Sequence, residues 1–294
     1  EGVEVAVSTE HNQLFSFAPV VDDLHATTQL VTVPGLEATT NTLGHFNLYP
    51  VTPRPGSPRS GAPAVEHIQP RELFDRLRRL APAAVLQVNH PRADREGYFE
   101  YSDPRAGSTP LSFDALEILN GKRMGDVERT LDDWFWLLQH GHVVTATGGS
   151  DSHAVVGEEA GYPRNFIGVG LDDPQKLDDA TLVDAVKVKR HVIVSNGPFV
   201  TVHVDGENAI GRTLTLAPGA SLDLHVRVQA APWVDVTEID VYDSGSERVR
   251  KIAVGTAAHN VIRFDDNVRV SPRADAFYVV VVRGQKPLSP VLQG

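Results

Sequence analysis

The stretch "ATGGSDSHA", residues 146–154, ends a run of small and β-branched residues on a carboxylate and an imidazole two positions apart. On an extended chain residues i and i+2 project to the same side. Asp151 and His153 can therefore aim an oxygen and a ring nitrogen at one point beyond a strand end, as metal ligation requires. Gly148 and Gly149 clear side chains from that approach, and Ser150 and Ser152 leave the volume beside it open. An Asp/Ser turn carrying a surface histidine is the plainer reading of the same stretch.

Other groups of the same chemistry recur at the ends of strand-like runs. His11 follows "VSTE", Glu37 follows "PGL", His45 opens "HFNLYPV", and His90 sits in "VNHPR". Singly each has an ordinary explanation, Glu37 as a solvated turn acid and His90 as a strand cap beside Pro91. Jointly, imidazoles and carboxylates converging from several strand ends, with no cysteine in the chain, suit Zn, Mn or Fe rather than a soft metal. Glu37 lies between histidines and is the natural bridge for two ions. Six N/O ligands exceed what one tetrahedral ion uses, so at least two divalent ions are expected. Asp151 can take a proton with the oxygen that does not ligate, and His153 or His11 can return one to a leaving group. Arg92 in "NHPR" and Arg164 in "GYPRN" are candidates to clamp an anion or a developing oxyanion, with an ordinary ion pair the favoured reading of Arg92. Asn120 in "LEILNG" suits a donor to substrate or simple Asn-Gly turn chemistry.

Something must hold these residues at one end of a fold. Residues 1 to about 196 alternate strand-like runs ("VEVAVST", "LVTVPGLEAT", "GHFNLYPV", "AAVLQVNHP", "ALEILNG", "HVVTATGGSDSH", "RNFIGVG", "HVIVSNG") with helical ones. "PRELFDRLRRLA" begins after a helix-starting Pro70, and "DVERTLDDWFWLLQHG" sets Leu131, Trp134 and Leu138 on one face. Alternation with chemistry at one end of the strands predicts an α/β barrel. The Pro/Gly/Ser-rich residues 52–70 predict an exposed loop near the site. "HGH", His140 and His142, falls between a helix and a strand start, at the end opposite the metals, and is read as coincidence. After "SNGPF", short alternating runs without helices predict a small antiparallel β-sandwich over residues 198–294. There His203 and His225 alternate with apolar neighbours, face solvent, and are excluded as ligands.

Composition bounds the partners. The chain has 294 residues, 41% hydrophobic and 22% charged, enough for a sizeable core in one large or two ordinary domains. A net charge of −11 argues against nucleic acid, whose phosphates call for Lys and Arg. No apolar run reaches membrane-spanning length; a small-molecule substrate is the expected partner, and the oligomeric state stays open. The absence of cysteine fits an exported protein or a cytosolic one, with a periplasmic or secreted location slightly favoured.

Taken in order and spacing, "STEHN", "PGLEAT", "GHFNLYP", "VNHPR", "LEILNG", "GGSDSHA" and "GYPRNFIGV" resemble the PHP (polymerase and histidinol phosphatase) superfamily. The closest likeness is to its CehA/McbA-like metallohydrolase branch, across residues 1–197, and the part after "NGPF" also looks like that branch. The resemblance implies a distorted (β/α)7 barrel, two or three divalent ions at the strand C-termini, and hydrolysis by a metal-bound hydroxide. By position it makes His11, Glu37, His45, His90, Asp151 and His153 metal ligands, with Glu37 bridging. Two departures stand out. The family's opening His-x-His would lie before Glu1, so the first strand is expected to be missing from this chain and to belong to a longer protein. Glu10 stands where the family has Asp beside its histidine, and can still orient His11. Two function classes follow: a metal-dependent hydrolase of a phosphoester or of a carbamate, amide or ester bond, and alternatively a degenerate, metal-stabilised barrel that binds or builds through its β-sandwich.

Overall fold

The computed structural model describes residues 2–154, 156–244, 248–255 and 260–289. Its centre is a five-stranded mixed sheet of β3 (Leu36–Thr39), β4 (His45–Tyr49), β5 (Val85–Val88), β6 (Ala115–Asn120) and β7 (Thr145–Gly149), hydrogen-bonded in that order. Strand alternation gives this sheet two chemically different faces. Leu36, Ala38, Phe46, Leu48, Leu86, Val88 and Leu116 point to one side. There they pack with Leu73, Phe74 and Leu77 of helix α2 (Pro70–Leu80) and with Leu137 of α4 (Val127–Gln139). On the other side Tyr49, Val85 and Ala115 join a smaller apolar cluster with Val33, Leu182 and Val186. Above that cluster the same face is polar and buried: Glu37, Gln87, Asn89, Glu117 and Thr147.

Smaller pieces close around this face. Strand β1 (Val5–Ser8) pairs parallel with β2 (Val31–Pro34), joined by the short helix α1 (Ala18–Asp23), and β8 (Arg164–Ile167) pairs antiparallel with β9 (Val192–Ser195). Helix α3 (Tyr98–Tyr101) sits between β5 and β6, and α5 (Asp179–Val183), continued by a π-turn, precedes β9.

The expected (β/α)7 barrel is not formed. Helix makes up 20% and strand 31%, the strands fall into several small sheets, five helices are present among the described residues, and nothing closes into a barrel. One cause is readable at Thr40–Gly44. A parallel crossover needs a dozen or more residues, and this link allows only a hairpin. Thr40 Oγ1 ties it by donating to Gly44 O and accepting from Leu43 N, each at 2.8 Å. Gly44 has φ +101°, and a β-carbon there would lie 2.7 Å from the Tyr98 nitrogen. Strand β4 is consequently antiparallel to both neighbours, although β5–β6 and β6–β7 are parallel. A second interruption lies at Gly35, where the chain leaves the β1–β2 pair for the five-stranded sheet. A β-carbon at Gly35 would come within 2.8 Å of Ser8 O.

Beyond β9 lie two antiparallel sheets. One has the order β11 (Glu207–Asn208), β10 (Phe199–Val204), β12 (Leu222–Gln229), β15 (Ile262–Val270), and the other β14 (Arg248–Ala253), β13 (Glu238–Asp243), β16 (Tyr278–Arg283). Leu224, Val226, Val228 and Val268 of the first share a core with Ile239 and Val241 of the second. Helix α4 lies against the second sheet: the Phe135 ring is 5.3 Å from that of Tyr242 and 6.1 Å from that of Phe277, and Arg283 reaches Glu128. That contact buries Phe135, the core under the five-stranded sheet buries Leu137, and Leu138, on the face expected from periodicity, is only partly buried. No helix among the described residues is long and apolar enough to cross a membrane.

Candidate metal centre

The reversal of β4 is what assembles the site. Because β4 runs against β3 and β5, its first residue, His45, lies beside their last ones. His45 therefore meets Glu37 of β3 and His90, two residues past β5, at one edge of the sheet. Its ring centroid is 4.8 Å from that of His90. His11, just past β1, is bridged to Glu37 by a parallel pairing. Asn12 clamps the contact: with φ +53° its side chain donates to Thr39 O at 2.9 Å and accepts from Thr39 N at 3.0 Å. The asparagine of "TEHN" is thus structural support, a role the sequence reading had not assigned. Asp151 and His153 come in from the end of β7.

Glu37 is the hub. Its Oε2 is 3.0 Å from His11 Nδ1, and its Oε1 is 3.3 Å from His45 Nδ1 and 3.8 Å from His90 Nε2. Asn89 Nδ2 donates to the same Oε1 at 2.8 Å. Burial alone would raise the Glu37 carboxyl, but the imidazoles of His45 and His90 that face it and the hydrogen bond from Asn89 outweigh it and hold it well below the usual range. On the open side His11 Nε2 and His153 Nε2 are 3.2 Å apart. That is about the spacing of two imidazoles on one tetrahedral Zn, with Zn–N near 2.0–2.1 Å. His11 and His153 are 45% and 55% exposed against 6% for Glu37, so the centre is closed beneath and open above. The His153 imidazole is held above its usual pKa, first by the Asp151 carbonyl, which accepts from Nδ1 at 2.8 Å, and also by the charges of Asp151, Glu158 and Glu37.

Of the six residues expected as ligands, His11, Glu37 and His45 present ligand atoms within 4.8 Å of one another; His90 borders this group through Glu37 and His45, His153 through His11, and Asp151 through His153. The donors are imidazole and carboxylate only, and His45 Nδ1 and His90 Nδ1 are buried nitrogens without a hydrogen-bond partner. This set fits a borderline divalent ion such as Zn, Mn or Fe. His90 and Asp151 both carry positive φ, 24° and 49°, a region that Asp and His enter more readily than most L-residues.

The neighbours sort differently from expectation. Arg92 is committed elsewhere: its Nε donates to Asp133 Oδ2 at 2.5 Å and its Nη2 to Asp133 Oδ1 at 2.8 Å. Arg164 donates from Nε to Gly161 O at 2.6 Å and lies 4.5 Å from the Tyr162 ring centroid, contacts that tie it to its own turn. Glu10 does not orient His11; the groups at His11 Nδ1 are Glu37 Oε2 and Thr39 Oγ1, the latter at 2.5 Å. Asn120 donates to Glu117 Oε2 at 3.1 Å.

Glu117 itself was missed. It is fully buried on β6, and its Oε2 also accepts from the His90 backbone N–H at 2.7 Å. A β-carbon at Gly149 would stand 2.5 Å from its Oε1, so this carboxyl of the middle strand fills the space between the end of β7 and the segment after β5. Burial pushes it up to about 8, with the charges of Asp151 and Glu37 adding to that and the two hydrogen bonds opposing it. The signal available in the sequence was an acid inside the otherwise apolar run "ALEIL".

No family model matches the chain, and a search of curated proteins finds no similar sequence.

Proposed function

We propose that this protein is a metal-dependent hydrolase acting on a small molecule through a phosphoester or a carbamate, amide or ester bond, with the chemistry of the PHP-like metallohydrolases its motifs resemble. The observation that carries this reading is Glu37, buried, with an imidazole against each carboxylate oxygen: His11 on one, His45 and His90 on the other. His11, Glu37, His45, His90, Asp151 and His153 would hold the ions, with Glu37 able to bridge two. Divalent ions held there lower the pKa of a water and polarise the oxygen of an acyl or phosphoryl group.

The chain's own residues supply the rest. Glu37, kept anionic by its partners, offsets the charge of paired cations. The exposed rings of His11 and His153 face the side from which a substrate arrives. The Asp151 carbonyl, accepting from His153 Nδ1, leaves His153 Nε2 turned toward the open side for ligation, and the second oxygen of Asp151 is suited to accept from water.

Elemental analysis of protein purified without chelator tests the reading directly. At least two equivalents of Zn, Mn or Fe per chain are expected. Less than about half an equivalent of any transition metal would remove its basis.

A further inference from the structure

Beneath Glu37 the polar face of the sheet carries side chains with no role in ligation. Thr147 Oγ1 of β7 donates to Gln87 Oε1 of β5 at 3.0 Å, and Tyr49 Oη reaches the same oxygen at 3.4 Å. Gln87 Nε2 donates to Asn89 Oδ1 at 3.0 Å, and Asn89 Nδ2 to Glu37 Oε1 at 2.8 Å. Gln87, Asn89 and Thr147 are each no more than 5% exposed. Resting on the metal reading above, we propose that Thr147, Gln87 and Asn89 form a one-way hydrogen-bond relay that orients the Glu37 carboxylate for metal capture, making them positioning residues.

The direction of the chain is forced from its end. A carboxylate that ligates a cation has no proton to give, so Asn89 must turn its NH2 toward it. The Asn89 carbonyl then faces Gln87, which must also present its NH2. The Gln87 carbonyl is left to accept from the hydroxyls of Thr147 and Tyr49. Reversing any amide would set oxygen against oxygen between buried side chains. Every dipole therefore points its positive end at Glu37, and in a buried chain such bonds strengthen one another.

The placement is not what packing alone asks for. One layer down, the same face uses Tyr49, Val85 and Ala115 in an apolar cluster. An amide pair here carries a desolvation cost that a hydrophobic residue of equal shape avoids. Register makes the column possible: Glu37 lies opposite Asn47 and Asn47 opposite Gln87, while Asn89 projects to the same side as Gln87, two residues on.

The test uses the full chain and Co²⁺ as probe, its binding followed by visible absorption against a competing chelator, with melting of the chelator-treated protein as the folding control. Second-sphere changes typically weaken metal affinity 10–100-fold, so Gln87→Met is expected to fall in that range and Thr147→Val near its lower edge, about tenfold. Thr147→Ser, which restores the hydroxyl without the methyl, is expected to bind within about twofold of wild type. Wild-type Co²⁺ binding with both Gln87→Met and Thr147→Val unchanged would overturn the relay and leave the metal centre standing. A Thr147→Ser variant as weak as Thr147→Val would assign the effect to packing and overturn it too. Failure of the wild type to bind Co²⁺ overturns both readings. If Gln87→Met does not fold, the Thr147 pair alone decides.

Discussion

At the scale of single residues, the centre is defined by what surrounds one carboxylate. Glu37→Gln keeps size and one acceptor oxygen but removes the charge that holds two cations together. It is expected to lower kcat by at least about a hundredfold and to cost more than His45→Asn, which removes one neutral ligand. Turnover of an aryl phosphodiester and an aryl ester at saturating Mn or Zn measures this; the reverse order of the two variants would take the bridging role from Glu37. Glu117 makes a separate, pH-dependent expectation. Its carboxyl is raised from an ordinary value near 4.5 to about 8, so between those pH values the folded chain holds a proton that the unfolded chain has lost. Stability attributable to this group is then fullest below about pH 4.5 and is lost as pH rises toward 8. In chelator-stripped protein, wild type is expected to lose melting temperature relative to Glu117→Gln over that window. A constant difference across the window would contradict it.

At the scale of elements, each candidate ligand is held by the way a strand ends. Gly149 ends β7 against Glu117, and a β-carbon there would collide with a carboxyl that cannot retreat, because its other oxygen holds the His90 and Asn120 donors. Gly149→Ala is expected to cost about 1–3 kcal/mol in chemical denaturation and to weaken metal binding by displacing Asp151. Unchanged metal affinity would mean that the β7 end adapts freely. Helix α4 anchors the segment after β5 through Asp133, 1% exposed, which takes both Arg92 and Arg105. Removing one side of such a pair strands the other, so Asp133→Ala is expected to cost about 3 kcal/mol. A loss below about 1 kcal/mol, the scale of an exposed pair, would show that Arg92 finds water instead.

At the scale of the whole molecule, residues 198–294 supply no expected ligand, yet their second sheet covers Phe135 of α4 and binds Glu128 through Arg283. A chain ending at Asn196 is therefore expected to retain its metal while melting several degrees lower and binding hydrophobic dye, as roughly 2 kcal/mol of aromatic burial is lost. Loss of metal from a folded truncated chain would mean that the C-terminal sheets shape the centre itself. An unchanged melting temperature would mean that α4 is held by the five-stranded sheet alone.

The sequence by itself determined which groups belong together. A carboxylate and an imidazole two apart, histidines near strand ends and an acid after "PGL" are short-range patterns, and a metal centre would draw on so few residue types that candidates for one can be read from them. Strand and helix positions were legible for the same reason, since alternation and periodicity are local. Strand direction was not. Whether β4 runs with or against its neighbours depended on a hairpin too short for a crossover, and that one reversal turned an expected barrel into a set of smaller sheets while still delivering His45 to the site. The supporting polar residues were hidden by distance: Asn89 meets Glu37 across 52 positions, and Gln87 meets Thr147 across 60. A glutamine or threonine inside an apolar strand gives no sign of its partner. Burial forces such a group to find one, but only the tertiary structure decides which, because the hydrogen bond is made between strands whose separation along the chain carries no information about their separation in space.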